Sequence, residues 1–216
     1  VDVWNNRPMA QNRWLDKIEQ NPGHSDWYIE RFRSMAADGV DLAGEARFID
    51  AMVPRHARVL DAGCGPGRVG GHLAQLGHRV VGIDIDPALI AAAEQDHPGP
   101  TWLVGDLSEL DLPQLGVEPG FDAVICAGNV MGFLDPATHR RVLECLATTI
   151  GPTGRLVIGF GSGHGYPFEK FFDDVHSAGL DVELCLGTWD LRPFTADSDF
   201  LVAVLVLPPP SHFRHD

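Results

Sequence analysis

The sequence predicts an α/β fold, a mainly parallel β-sheet with helices between its strands and an antiparallel strand pair at one edge. Three observations predict it. The stretch from Val59 to Asp84 has an apolar run ending in Asp61, a turn with glycines at 63, 65, 67, 70 and 71, an apolar-spaced segment, and a β-branched run ending in Asp84. Further short apolar runs at Thr101 to Val104, Phe121 to Cys126 and Arg155 to Phe160 alternate with helical patterns, as parallel strands joined by crossover helices require. After Leu180 the rhythm changes: Leu180 to Gly187 and Phe200 to Leu207 follow each other with no helical pattern between them, which predicts an antiparallel pair.

Taken in order, residues 1 to 24 are polar, with Trp4 and Trp14 among them, and read as either a mobile tail or a lid. Ser25 is expected to cap a helix carrying Tyr28, Ile29, Phe32 and Met35 at three- and four-residue spacings. A second helix is expected from about Leu42 to Met52, ended by Pro54. Asp86-Pro87 reads as an N-cap with Pro at the first helical position, opening a helix through Gln95. Ser108 to Gly120 is expected to be loop with at most one helical turn. Asp135-Pro136 repeats the helix-start signal, and Gly151-Pro152 is expected to close that helix. The glycine-rich loop from Gly159 to Pro167 leads into a helix through Phe168, Phe171, Phe172 and Val175, ended by Gly179. The expected organisation is one domain: residues 1–54 as an arm and lid helices, 55–207 as the ligand-binding body, and 208–216 as a tail.

The totals narrow the function classes. A chain of 216 residues can bury a core without disulfides or metal. The cysteines at 64, 126, 145 and 185 are far apart, form no CxxC pair and read as reduced core residues. A net charge of −14 argues against a nucleic-acid partner, which needs clustered Lys and Arg. The longest apolar run, Phe200 to Leu207, falls well short of the roughly 18 residues of a membrane helix. Without a basic patch followed by an apolar core near the start, the expectation is a soluble, cytoplasmic chain acting on a small molecule.

The glycine turn is where a ligand is expected, because glycine permits positive φ and close backbone approach, and the helix that follows points free N–H groups at the turn. Two ligands compete. Gly65, Gly67 and Gly70 match the G-x-G-x-x-G dinucleotide pattern, and Asp84 lies near the spacing of a ribose-binding acid. Asp61 at the mouth of the turn would repel a pyrophosphate, yet attract an ammonium group. S-adenosylmethionine has no phosphate, carries an ammonium and a sulfonium, and suits acids at 61, 84 and 106.

Across residues 55 to 207 the chain resembles the class I S-adenosylmethionine-dependent methyltransferases of the small-molecule type. The matching stretches are VLDAGCGPGR at 59–68, GID at 82–84, GDL at 105–107, FDAVICAGN at 121–129 and GPTGRLVIG at 151–159. The resemblance implies a Rossmann-like three-layer sandwich whose seven-stranded sheet has the order 3-2-1-4-5-7-6, with the seventh strand antiparallel and lid helices before the first. It implies that Asp61 and the Gly63, Gly65 and Gly67 turn, with Arg68 behind it, hold the methionine moiety. Asp84 would accept from the ribose hydroxyls, Ile85 would pack on the adenine, and Asp106 and the Leu107 N–H would meet its edge. Ala127, Gly128 and Asn129 would line the methyl-donor side. On the preceding helix, Tyr28 or Arg31 is expected near the methionine carboxylate.

No catalytic residue is assigned. A general base is optional for in-line methyl transfer, and His24, Tyr28, His139 and His164 each read more simply as solvated or structural groups. The acceptor is expected to meet the Gly161 to Phe168 loop and the Trp189 to Phe194 segment, where Trp189 reads equally as an apolar wall or a packing residue and Arg192 equally as an anion contact or a structural group. Two alternatives remain at this stage, an NAD-dependent oxidoreductase and a catalytically silent S-adenosylmethionine-binding protein.

Overall fold

The computed structural model describes residues 12–209. Residues 1–11 of the polar arm, Trp4 among them, and residues 210–216 of the tail lie outside the described residues.

Strands β1 (Arg58–Ala62), β2 (Arg79–Asp84), β3 (Thr101–Val104), β4 (Phe121–Cys126), β5 (Ile150–Gly161), β6 (Asp181–Leu186) and β7 (Phe200–Val206) form one sheet of order β3-β2-β1-β4-β5-β7-β6. The first five pair parallel, and β7 runs antiparallel to both β5 and β6. This is the expected Rossmann-like order. Its physical basis is the alternation of faces along each strand. Leu60, Val124 and Ile158 pack into a core on one side of the sheet, while their neighbours Val59, Ala123 and Val157 pack into a second core on the other. All six are fully buried, so both faces are covered, as a parallel sheet requires.

The helices are α1 (Arg13–Gln20), α2 (His24–Ala37), α3 (Gly44–Met52), α4 (Arg68–Gln75), α5 (Pro87–Asp96), α6 (Val130–Phe133), α7 (His139–Thr149) and α8 (Phe168–Ser177). The Asp86 cap of α5 is as expected, its side chain accepting the Ala88 N–H. Within the arm, residues 13–20 form a helix capped by Asn12, whose side chain accepts from the Trp14 and Leu15 N–H groups. Three local expectations are corrected. Ser25 lies inside α2 and does not cap it, because its hydroxyl donates to Asp86 instead. Asp135 accepts the Ala137 N–H in a turn of its own, so α7 begins only at His139. Gly151-Pro152 does not sit in a loop: the chain passes from α7 straight into β5, with an irregular register against Phe121 and Ala123. A Cβ at Gly154 would stand 2.3 Å from the Phe121 carbonyl oxygen, so only glycine lets β5 cross β4 this closely.

Glycines also set the depth at which α4 and β3 pack. Trp102 on β3 fills a slot beside Gly67, Gly70 and Gly82, where built Cβ atoms would lie 3.0, 2.9 and 2.2 Å from its ring. Its indole N–H donates to the His97 carbonyl, which fixes the ring. The substitution Gly82→Ala is therefore expected to destabilise the chain by about 1–3 kcal/mol through overpacking, read as a lowered urea midpoint with unchanged slope.

Candidate functional site

Strand order reverses between β1 and β4, and ligands in such sheets bind in the crevice beyond the carboxyl ends of those strands. A cavity enclosing about 840 Å3 of empty space, part of it open to solvent, lies there. Its floor is Asp61 with Gly63 and Gly65 after β1, Asp84 and Ile85 after β2, Asp106 and Leu107 after β3, and Ala127 and Gly128 after β4. Trp14 of α1 and Tyr28 and Phe32 of α2 contribute from the N-terminal segment, and Val130, Phe133 and Leu134 from α6 and its end.

The floor is built by backbone N–H groups reaching carboxylates. Asp61 is 2% exposed and its Oδ2 accepts the Gly70 N–H at 2.8 Å. Asp84 is 9% exposed; Oδ2 accepts the Gly65 N–H at 2.8 Å and Oδ1 the Asp86 N–H at 3.0 Å. Burial pushes the Asp61 carboxyl up to about 7, against the pull of the Gly70 N–H. Burial likewise raises Asp84 to about 6, although the Asp86 and Gly65 N–H groups favour its charged form. Each hydrogen bond takes one acceptor site of a carboxylate that offers about four. Capacity for a ligand remains. Asp106 Oδ1 accepts both the N–H and the hydroxyl of Ser108, at 2.8 and 2.9 Å, which orients the carboxylate at the cavity edge.

Arg68 lines the cavity but its charge is neutralised. The guanidinium forks onto Glu45 at 2.5 and 2.8 Å and also donates to the Leu42 carbonyl, tying α4 to α3. Tyr28 lies over the glycine turn, its ring 3.7 Å from where a Gly65 Cβ would be, and burial raises its phenol pKa.

Three expected site residues are not among those lining the cavity. Gly67 takes φ 80° at the start of α4, and its α-carbon faces Ala93 and Trp102. Asn129 turns its Oδ1 to the Gly161 N–H at 2.8 Å and joins the ends of β4 and β5. Arg31 is exposed and lies over the Trp27 and Phe32 rings. On the expected acceptor side, half-buried Trp189 packs edge-on against Phe48 and over Gly159, the structural alternative, and Arg192 is exposed beside Asp190. Of the possible bases only Tyr28 reaches the cavity. His139 is buried, its Nε2 2.9 Å from the Met131 carbonyl and its ring stacked on Tyr166. Sequence reasoning missed Trp14, Phe32 and Phe133. The 3.6-residue pattern of α1 offered Trp14 as a signal, but eight residues carry little periodicity.

Comparison with known proteins agrees with this geometry. A family profile described as a methyltransferase domain matches residues 59–154. The crystal structure of a TehB-like SAM-dependent methyltransferase from Corynebacterium glutamicum superposes with a TM-score of 0.83 and is 48% identical, covering 87% of this chain and all of the other. The chain belongs to the S-adenosylmethionine-dependent methyltransferases. Among curated relatives of this methyltransferase are the putative methyltransferase YqeM of Bacillus subtilis, 30% identical over 64% of this chain and 55% of its own length, and the ubiquinone biosynthesis O-methyltransferase of Xanthomonas axonopodis pv. citri, 31% identical over 49% and 43%. The matched region thus spans about half the length of these relatives. Among the described residues, no helix is long and apolar enough to cross a membrane and no cluster of His, Cys, Asp and Glu could hold a metal ion.

The buried acids give a pH prediction. Both carboxyls hold their protons more tightly folded than unfolded, where an aspartate titrates near about 3.9. Between about pH 4 and about pH 7 the folded chain binds the extra protons, so their contribution to stability falls as pH rises through that window. Asp61→Asn keeps an acceptor for the Gly70 N–H and is expected to flatten this fall, measured by thermal unfolding of the ligand-free protein from pH 4.5 to pH 7.5.

Proposed function

We propose that the chain transfers the methyl group of S-adenosylmethionine to a small, uncharged or cationic acceptor bound against the apolar wall of Val130, Phe133 and Leu134. The observation that carries the reading is the pairing of two buried carboxylates, Asp61 and Asp84, in one cavity whose lining cation, Arg68, is already matched by Glu45. Such a site favours a ligand that brings positive charge and hydroxyl or amino donors, and disfavours a pyrophosphate.

In this reading Asp84 accepts from the two ribose hydroxyls. Asp106 and the Leu107 N–H meet the adenine edge, and Ile85 packs on its face. Asp61 faces the amino group of the methionine moiety, with the Gly63 to Gly65 turn beneath it and Tyr28 above. The bound sulfonium supplies an activated methyl group. The protein supplies position and dryness: Trp14, Tyr28 and Phe32 exclude water from the reacting pair, and in-line approach from the Ala127 and Gly128 side sets the geometry. The net charge of −14 supports a small-molecule acceptor over a nucleic acid.

Titration calorimetry with S-adenosylhomocysteine tests the reading. Binding is expected in the wild type, reduced by about tenfold or more in Asp84→Ala, where charge-assisted hydrogen bonds are lost. Arg31→Ala is expected to stay within about twofold, since surface changes of this kind shift energies little. Binding of NADH with no binding of S-adenosylhomocysteine would reject the methyl-donor assignment.

A further inference from the structure

Asp86 does more than cap a helix. It is 3% exposed, and its two carboxylate oxygens face different partners. Oδ1 accepts the Ala88 N–H at 2.8 Å and caps α5. Oδ2 accepts the Trp14 indole N–H at 2.9 Å and the Ser25 hydroxyl at 2.5 Å, from α1 and α2 respectively. The Asp86 N–H in turn donates to Asp84 Oδ1, and Asp84 Oδ2 accepts from Gly65. A continuous hydrogen-bonded path therefore runs from both roof helices, through one buried carboxylate, to Asp84 and the glycine turn.

We propose that Asp86 is a positioning residue that latches α1 and α2 over the cavity and at the same time orients the Asp84 carboxylate toward the ligand. A cap needs one oxygen only. The second is saturated by two side chains that are distant in sequence, one of which, Trp14, lines the cavity. The other polar ties of the roof are longer or more exposed: Arg13 donates to the His164 carbonyl at an exposed site and to the Gly132 carbonyl at 3.3 Å at a part-buried one, and the Arg33 to Asp96 ion pair is exposed, while Trp14 and Ile29 add apolar packing on Leu89 and Ala92. The buried, charge-assisted bonds at Asp86 are the ones that hold when water competes. A ligand that binds the closed roof loses affinity in proportion to the fraction of molecules that are open.

The inference rests on the methyl-donor reading above, and the test separates the two. Trp14→Phe and Ser25→Ala each remove one donor to Oδ2 and leave the Asp86 cap of α5 intact. S-adenosylhomocysteine affinity is expected to fall about threefold or more in each and about tenfold or more in the double variant, with faster dissociation in stopped flow. Hydrogen exchange is expected to rise in α1 and α2 while α5 stays protected, a pattern that a general loss of stability would not produce. Should Trp14→Phe disturb folding, Ser25→Ala, which deletes a single oxygen, gives the same readouts. A double variant that binds and releases S-adenosylhomocysteine as the wild type does would overturn the latch alone. Failure of the wild type to bind it would overturn the methyl-donor reading, and the latch with it.

Discussion

Two carboxylates are withdrawn from water at the ends of adjacent parallel strands, and the surrounding structure is arranged to make that tolerable. A buried carboxylate with no partner is costly, and the protein answers with backbone N–H groups at fixed positions. Gly70 reaches Asp61, and Gly65 and Asp86 reach Asp84. For those groups to arrive, the chain must turn sharply after β1 and α4 must lie close to the sheet. A Cβ on Gly70 would stand 2.9 Å from Trp102 and 3.1 Å from Asp61 Oδ2. The glycines of the turn thus serve the acids, and Gly67 makes room for the Trp102 ring. The sheet order contributes the rest, because the reversal between β1 and β4 opens the crevice into which both acids look.

Charge in the cavity is one-sided by construction. Arg68 would offset the acids, but α3 presents Glu45 to it and the Leu42 carbonyl takes a further N–H. The remaining ionisable floor is acidic, with carboxyls whose protons come off only near neutral pH. A cationic ligand relieves that strain by supplying the missing counter-charge, so ligand binding and the ionisation of Asp61 and Asp84 are coupled. The opposite wall of the cavity is different in kind, since Val130, Phe133 and Leu134 are apolar.

The roof joins these two regions. Trp14 contacts Tyr28 edge-on at 5.1 Å and Phe133 at 5.6 Å, so the aromatic cover spans from the glycine turn to the acceptor wall. Rings in these tilted geometries pack firmly without locking. Polar contacts tie the two helices at several points: Trp14 and Ser25 to Asp86 at the start of α5, Arg33 to Asp96 at its end, and Arg13 to the Gly132 and His164 carbonyls.

Strand positions, the glycine turn and the acids at 61, 84 and 106 were legible because each depends on local signals: β-branched runs, turn residues and chemistry at strand ends. The antiparallel edge was legible for the same reason, since a missing crossover helix is a local fact. Where reading failed, a distant partner had overridden a local preference. Ser25 is a good cap by type, yet Asp86 claims its hydroxyl. Asp135-Pro136 looks like a helix start, yet Asp135 closes its own turn. Asn129 and Trp189 sit next to ligand-facing segments, yet their side chains are spent on β5 and on Phe48. The sequence by itself determined the order of elements, the sheet and the kind of charge at its mouth, because periodicity and residue type act over a few positions. Only the tertiary structure decided which of those residues face the cavity and that Trp14 of α1 and Ser25 of α2 meet at Asp86, because those outcomes depend on partners tens of residues away.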